Sequence, residues 1–111
     1  MLSMGVRQSK AGGHLKTNNE LKLELIAGEI MESGKSVTHY VKLANIPINE
    51  INMLRGHIMA VAAVREHRYR ESLKRMGASQ YLQGWRMWYT KLLDFRMDPK
   101  NDDKDFTMKG V

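Results

Sequence analysis

The chain has 111 residues, 42% of them hydrophobic and 27% charged, and its formal net charge is +6. This length fits one domain, and the lack of cysteine excludes disulfides, thiolate catalysis and zinc sites built on sulfur ligands. Because no run of 18 apolar residues and no signal-peptide core occur, the sequence predicts a soluble, cytoplasmic protein without a membrane partner.

Three segments are predicted along the chain. Residues 1–16 place glycines among basic and polar residues, which predicts a flexible basic arm. Residues 17–97 predict a single helical domain, and residues 98–111 predict a polar, acidic tail in which Phe106 and Met108 are candidate anchors. Residues 4–9 match an N-myristoylation signature, which would operate only if translation began at Met4 instead of Met1.

The first helix is predicted to begin at Asn18 or Asn19, because asparagine accepts hydrogen bonds from the first free amides of a helix. Its apolar residues recur at helical spacing and form one face. Gly34 is predicted to end it in the left-handed conformation. The residues of that face are Leu23, Ile26, Ala27, Ile30 and Met31.

Three more helices are predicted after Gly34. Ser36 is a good N-cap for a short second helix, and the third helix begins near Pro47 or Asn49 and ends at Gly77. The fourth helix covers residues 79–97, and the short connection before it predicts an antiparallel hairpin with the third. The predicted fold class is all-α, with about four helices in a helix-turn-helix-like N-terminal half followed by this hairpin.

The second and third helices carry the candidate DNA-reading residues. Tyr40, Ala44 and Leu54 have the spacing of a helix-turn-helix core, with Asn45 in the turn. Asn49, Asn52 and Arg55 are predicted to reach base edges, since asparagine suits adenine and arginine suits guanine. Residues predicted to contact phosphate oxygens are Lys35, Ser36 and Lys42. The open alternative is that these side chains are ordinary polar surface of two amphipathic helices.

The most basic stretch begins at Arg65. Two local pairs at i,i+4 spacing, Glu66 with Arg70 and Glu71 with Arg75, favour a merely solvated helix face. Cations without an obvious local acidic partner are better candidates for phosphate contacts. These are Arg65, Arg68 and Lys74.

An aromatic stripe runs along one face of the fourth helix. Its rings could stack on exposed bases, but at helical spacing they favour a core or an oligomer interface. The residues predicted for that interface are Trp85, Trp88, Tyr89 and Leu92.

The sequence therefore predicts a small nucleic-acid-binding protein that is not an enzyme. Double-stranded DNA is the predicted partner of a homo-oligomer, in a regulator or in a packaging or replication accessory of phage or mobile-element type. The alternative is a protein-interaction module, an inhibitor or adaptor, with a docking face rich in Met and Trp. No cofactor, metal or small-molecule substrate is predicted, because the four histidines are scattered and no phosphate-binding glycine loop occurs.

Overall fold

The computed structural model describes residues 16–107; the myristoylation pattern, Met108 and nearly all of the predicted arm lie outside this range. The described chain is all-α, as predicted, and contains no strand. Short 3₁₀ turns precede α3 and α4 and follow α4. The helices are α1 (Asn18–Ser33), α2 (Val37–Leu43), α3 (Ile51–Met76) and α4 (Leu82–Met97).

The start of α1 is fixed by a capping box. The Thr17 hydroxyl accepts a hydrogen bond from the Glu20 amide at 3.1 Å, and the Glu20 carboxylate accepts one from the Thr17 amide at 2.9 Å. The helix begins at Asn18, as predicted, but its cap is Thr17, one or two positions before the asparagines predicted to cap it. The signal was present in the sequence, because Thr and Glu three residues apart before an apolar run are typical of this motif.

The predicted turn residues have the conformations expected of them. Gly34 and Gly77 end α1 and α3 with φ values of 76° and 67°, and Asn45 has a φ of 54°. Ser36 caps α2, since its hydroxyl accepts a hydrogen bond from the His39 amide at 2.9 Å. These residues allow the chain to turn within a few positions between one helix and the next.

The core lies where α1 and α4 both pack against α3. Each fully buried side chain in the core, such as Leu54 or Ile58, stabilises the fold by about 1.5–3 kcal/mol through its removal from water. The core residues are Leu23, Ala27, Ile30, Met31, Val37, Tyr40, Ile46, Leu54, Ile58, Ala62, Tyr89 and Leu92.

The predicted antiparallel hairpin of α3 and α4 is confirmed by contacts between the two helices. The Tyr69 ring stacks on Trp85 with centroids 4.5 Å apart, and Arg86 pairs with Glu66 at 2.7 Å. Earlier residues of α3 thus meet later residues of α4. None of the helices in residues 16–107 is long and apolar enough to cross a membrane.

The segment after α4 differs from the predicted polar tail, because residues 98–106 pack against the helical domain. The Asp102 carbonyl accepts a hydrogen bond from the Thr38 amide at 2.9 Å, and the Gly34 carbonyl accepts one from the Phe106 amide at 2.7 Å. The Phe106 ring meets Phe95 edge to face at 5.2 Å. Phe106 therefore anchors the segment, as its apolar side chain suggested.

Arg96 holds this segment to the rest of the fold. The residue is 1% exposed, and its guanidinium donates hydrogen bonds to the carbonyls of Gly34, Lys35 and Lys104. Burial lowers the pKa of Arg96, while Asp105 and Asp102 oppose that shift. One buried cation thus ties the end of α1 and the segment after α4 to α4.

Candidate nucleic-acid interface

Ser36 does not lie where the predicted phosphate contact needs it. Its side chain is engaged in capping α2, the residue is 8% exposed, and its amide donates to the Asp105 carboxylate at 2.8 Å. The neighbouring Lys35 and Lys42 are exposed and form no ion pair with a described residue. Of the three phosphate contacts predicted at or just before α2, the two lysines are accessible and the serine is not.

Arg55 is turned toward the protein instead of outward as predicted, so its guanidinium is not free to read bases in this conformation. It forms an ion pair with Asp102, and its side chain is 14% exposed. A second bond runs from Arg55 Nη1 to Asn52 Oδ1 at 3.1 Å, so Asn52, although exposed, is also engaged. Asn49 is exposed. The three residues predicted to read DNA do not form a free surface in this conformation.

The packing of α2 also departs from a helix-turn-helix core. Its main partner is α1, whereas α3 packs chiefly on α1 and α4. Leu54 is buried as predicted, and Ile46 is buried too, but both lie in a core that all four helices share. The order of helix, turn and helix is present. However, α2 and α3 do not pack mainly on each other, as the two helices of a helix-turn-helix do.

Within residues 16–107, the positive charge is concentrated in one part of the fold, which we call the basic hairpin, residues 65–93. It contains seven Lys or Arg and two Glu, and so has a net charge of +5. Residues 16–64 are neutral overall, and residues 94–107 have a net charge of −2. A surface with this asymmetry attracts polyanions.

Some cations of the basic hairpin are held by carboxylates. Glu66 accepts from Arg70 at 3.2 Å and from Arg86 at 2.7 Å, so one acid joins two guanidiniums across the hairpin. Two cations that were predicted to lack an acidic partner have one. Arg65 pairs with Glu32 of α1, and Lys74 Nζ lies 3.8 Å from a carboxylate oxygen of Glu71.

Three exposed cations of the basic hairpin form no ion pair with a described residue: Arg68, Arg75 and Lys91. Lys74 is also open to solvent, with 62% of its side chain exposed. The predicted pairing of Glu71 with Arg75 does not form. Unpaired and loosely paired cations can bind phosphate without first breaking a strong internal contact.

The aromatic stripe of α4 is mainly a packing feature. Trp85 stacks on both Tyr69 and Tyr89, with ring centroids at 4.5 and 4.4 Å, so its ring is engaged in internal packing. Trp88 meets Trp85 edge to face at 6.2 Å. A base that stacked on Trp85 would compete with these internal contacts.

The predicted interface residues of α4 are also largely inside the fold. Tyr89 and Leu92 are buried, with 7% and 1% exposed, and Trp85 and Trp88 are half-buried. Tyr89 and Leu92 therefore cannot form an oligomer interface in this conformation. The sequence favoured either a core or an interface for this stripe, and the packing assigns these two residues to the core.

No group of three or more His, Asp or Glu residues within 16–107 is placed to hold a metal ion. His39 lies beside Tyr40, and His57 lines the groove between α1 and α3. Comparisons with protein-family models, with curated proteins and with solved structures found no match to this chain.

Proposed function

We propose that this protein binds double-stranded DNA and that the basic hairpin is its main phosphate-binding surface. The observation that carries the proposal is the concentration of charge: residues 65–93 have a net charge of +5, while the rest of the described chain is neutral or acidic. Each cation that meets a phosphate releases condensed counterions from the DNA, and this release supplies much of the binding free energy.

A duplex is favoured over a single strand because of the aromatic packing. Proteins that bind single strands commonly offer free aromatic faces to successive bases. Trp85 is already stacked on Tyr69 and Tyr89, and Tyr89 is buried. Exposed cations on a helical hairpin can bind a duplex by contacting its backbone alone, because the backbone presents phosphates regardless of sequence.

The test compares two double variants that remove the same charge. Lys74→Gln with Arg75→Gln removes two cations from the basic hairpin, and Lys100→Gln with Lys104→Gln removes two from the acidic segment after α4. Affinity for a fluorescently labelled duplex is measured by anisotropy between about 50 and 200 mM salt.

The hairpin variant is expected to bind more weakly, and its slope of log affinity against log salt to be shallower by about 2. The control variant is expected to keep the original slope. No duplex binding at low salt overturns the proposal. Equal losses in the two variants also overturn it, because net charge alone would then explain the binding.

Base reading by Asn49, Asn52 and Arg55 is a further part of this proposal. It requires Arg55 to leave Asp102 when DNA binds, because the guanidinium is engaged in the unbound protein. Phosphate oxygens are suitable competitors for such a contact, since guanidinium groups bind phosphate and carboxylate in similar geometry.

A further inference from the structure

We infer that the groove between α1 and α3 is the interface of a homodimer. The groove has a volume of about 350 Å³. Its apolar residues are Leu25 and Gly28 of α1 and Ala60, Val61 and Val64 of α3. Leu25 is 71% exposed and Val64 48%, so the fold leaves the largest apolar side chains of the groove uncovered.

Gly28 in the middle of α1 has no role within the described chain that requires glycine. A Cβ there would lie 4.0 Å from the Arg65 guanidinium, an ordinary van der Waals contact. Glycine inside a helix destabilises the helix relative to alanine. A small residue at this position would allow another helix to approach the groove closely.

The charges along the groove identify the occupant. Its α1 wall is acidic, with Glu24, Glu29 and Glu32, and its α3 wall is basic, with His57, Arg65 and Arg68. Glu29 and Arg68 form no ion pair with a described residue, whereas Glu24 and Glu32 are paired with Lys16 and Arg65. The groove thus offers one unpaired charge of each sign on opposite walls.

A second copy of this chain matches both walls at once. In a two-fold contact the same surface serves both subunits. When the two-fold axis runs along the groove, the acidic wall of each copy faces the basic wall of the other. Glu29 of each subunit then pairs with Arg68 of its partner, and the two Leu25 side chains fill the apolar part of the groove. This dimer does not use Trp85 or Trp88.

Charge reversal tests the pairing directly. Glu29→Arg and Arg68→Glu should each give a monomer, because like charges then face each other across the interface. The double variant should dimerise again, and an equal mixture of the two single variants should form a heterodimer. Sedimentation of the full chain at about 100 μM, where a weak dimer is populated, measures each case.

An apolar variant separates dimerisation from DNA binding, since Arg68 also belongs to the basic hairpin. Leu25→Lys should abolish the dimer, whereas Met87→Lys should not, although Met87 on α4 is similarly exposed at 59%. Circular dichroism checks that all variants remain helical. A monomeric wild-type chain at this concentration overturns the inference, as does a dimer that survives Leu25→Lys. A chain that dimerises only after deletion of residues 1–15 overturns it too, because the N-terminal segment would then be the occupant.

Discussion

Arg55 in the second turn of α3 forms an ion pair with Asp102, which lies 47 positions later in the chain. Both side chains are largely shielded from solvent, with 14% and 25% exposed. The contact fastens the segment after α4 to the start of α3. It also engages the one arginine among the residues predicted to read DNA. A change at this pair is therefore expected to affect both the stability of the fold and the binding of DNA.

Removing Arg55 should destabilise the protein. Arg55→Met leaves the Asp102 carboxylate without its cation in a partly buried site, which should lower the free energy of unfolding by about 1–3 kcal/mol. Urea denaturation measures the loss. An unchanged midpoint would show that the ion pair contributes nothing to stability.

Removing Asp102 should have a different effect on binding. Asp102→Asn keeps the shape of the side chain but withdraws its charge, so Arg55 becomes available to a phosphate or base. Duplex affinity is expected to rise several-fold if Arg55 takes part in recognition. Unchanged affinity would assign Arg55 a purely structural role and would remove it from the proposed interface.

Arg96 should matter far more than an exposed arginine on the same helix. Arg96→Met leaves the carbonyls of Gly34, Lys35 and Lys104 without their donor and should cost about 2–4 kcal/mol. The matched control is Arg86→Met, which removes a solvent-exposed pair with Glu66 and should cost about 1 kcal/mol or less. Thermal unfolding of both variants gives the comparison, and equal losses would contradict the role assigned to Arg96.

The two left-handed glycines should respond unequally to alanine. Both positions strain a side chain through their positive φ, at roughly 1–2 kcal/mol. At Gly34 the added Cβ would also lie 2.5 Å from the Phe106 carbonyl oxygen, whereas at Gly77 it would meet nothing within 4 Å. Gly34→Ala should therefore be the more destabilising and should make residues 98–107 more susceptible to proteolysis. Equal stability losses would indicate that this segment moves away without cost.

Tyr89 should make the protein less stable at alkaline pH. Burial raises the pKa of its phenol above the ordinary value of about 10. Above that pH the unfolded chain loses the proton while the folded chain keeps it, so stability falls as pH rises toward the folded pKa. Below that pH the two states are equally protonated and the effect is absent.

Tyr89→Phe isolates this contribution. The hydroxyl is buried and has no hydrogen-bond partner among the described residues, so its removal should leave stability at pH 7 unchanged or raise it by about 1 kcal/mol. The stability gap between the variant and the parent should widen above about pH 10. A gap that stays constant up to pH 11 would contradict the assigned pKa direction.

Much of the secondary structure follows from signals that act over a few residues. Gly34, Asn45 and Gly77 end or connect helices because their backbone conformations are accessible locally, and Ser36 caps α2 for the same reason. The apolar spacing of α1 likewise predicted the face that is buried. Even the missed cap at Thr17 was a local pattern.

The candidate site depends on contacts between distant positions. No spacing rule links Arg55 with Asp102, Arg65 with Glu32 or Arg86 with Glu66, because each pair forms only when the helices are packed. The composition alone established an excess of positive charge. Tertiary packing decided which cations are neutralised, which aromatic faces are covered and which charges remain free, since ion pairing and burial depend on distances in space and not on separation along the chain.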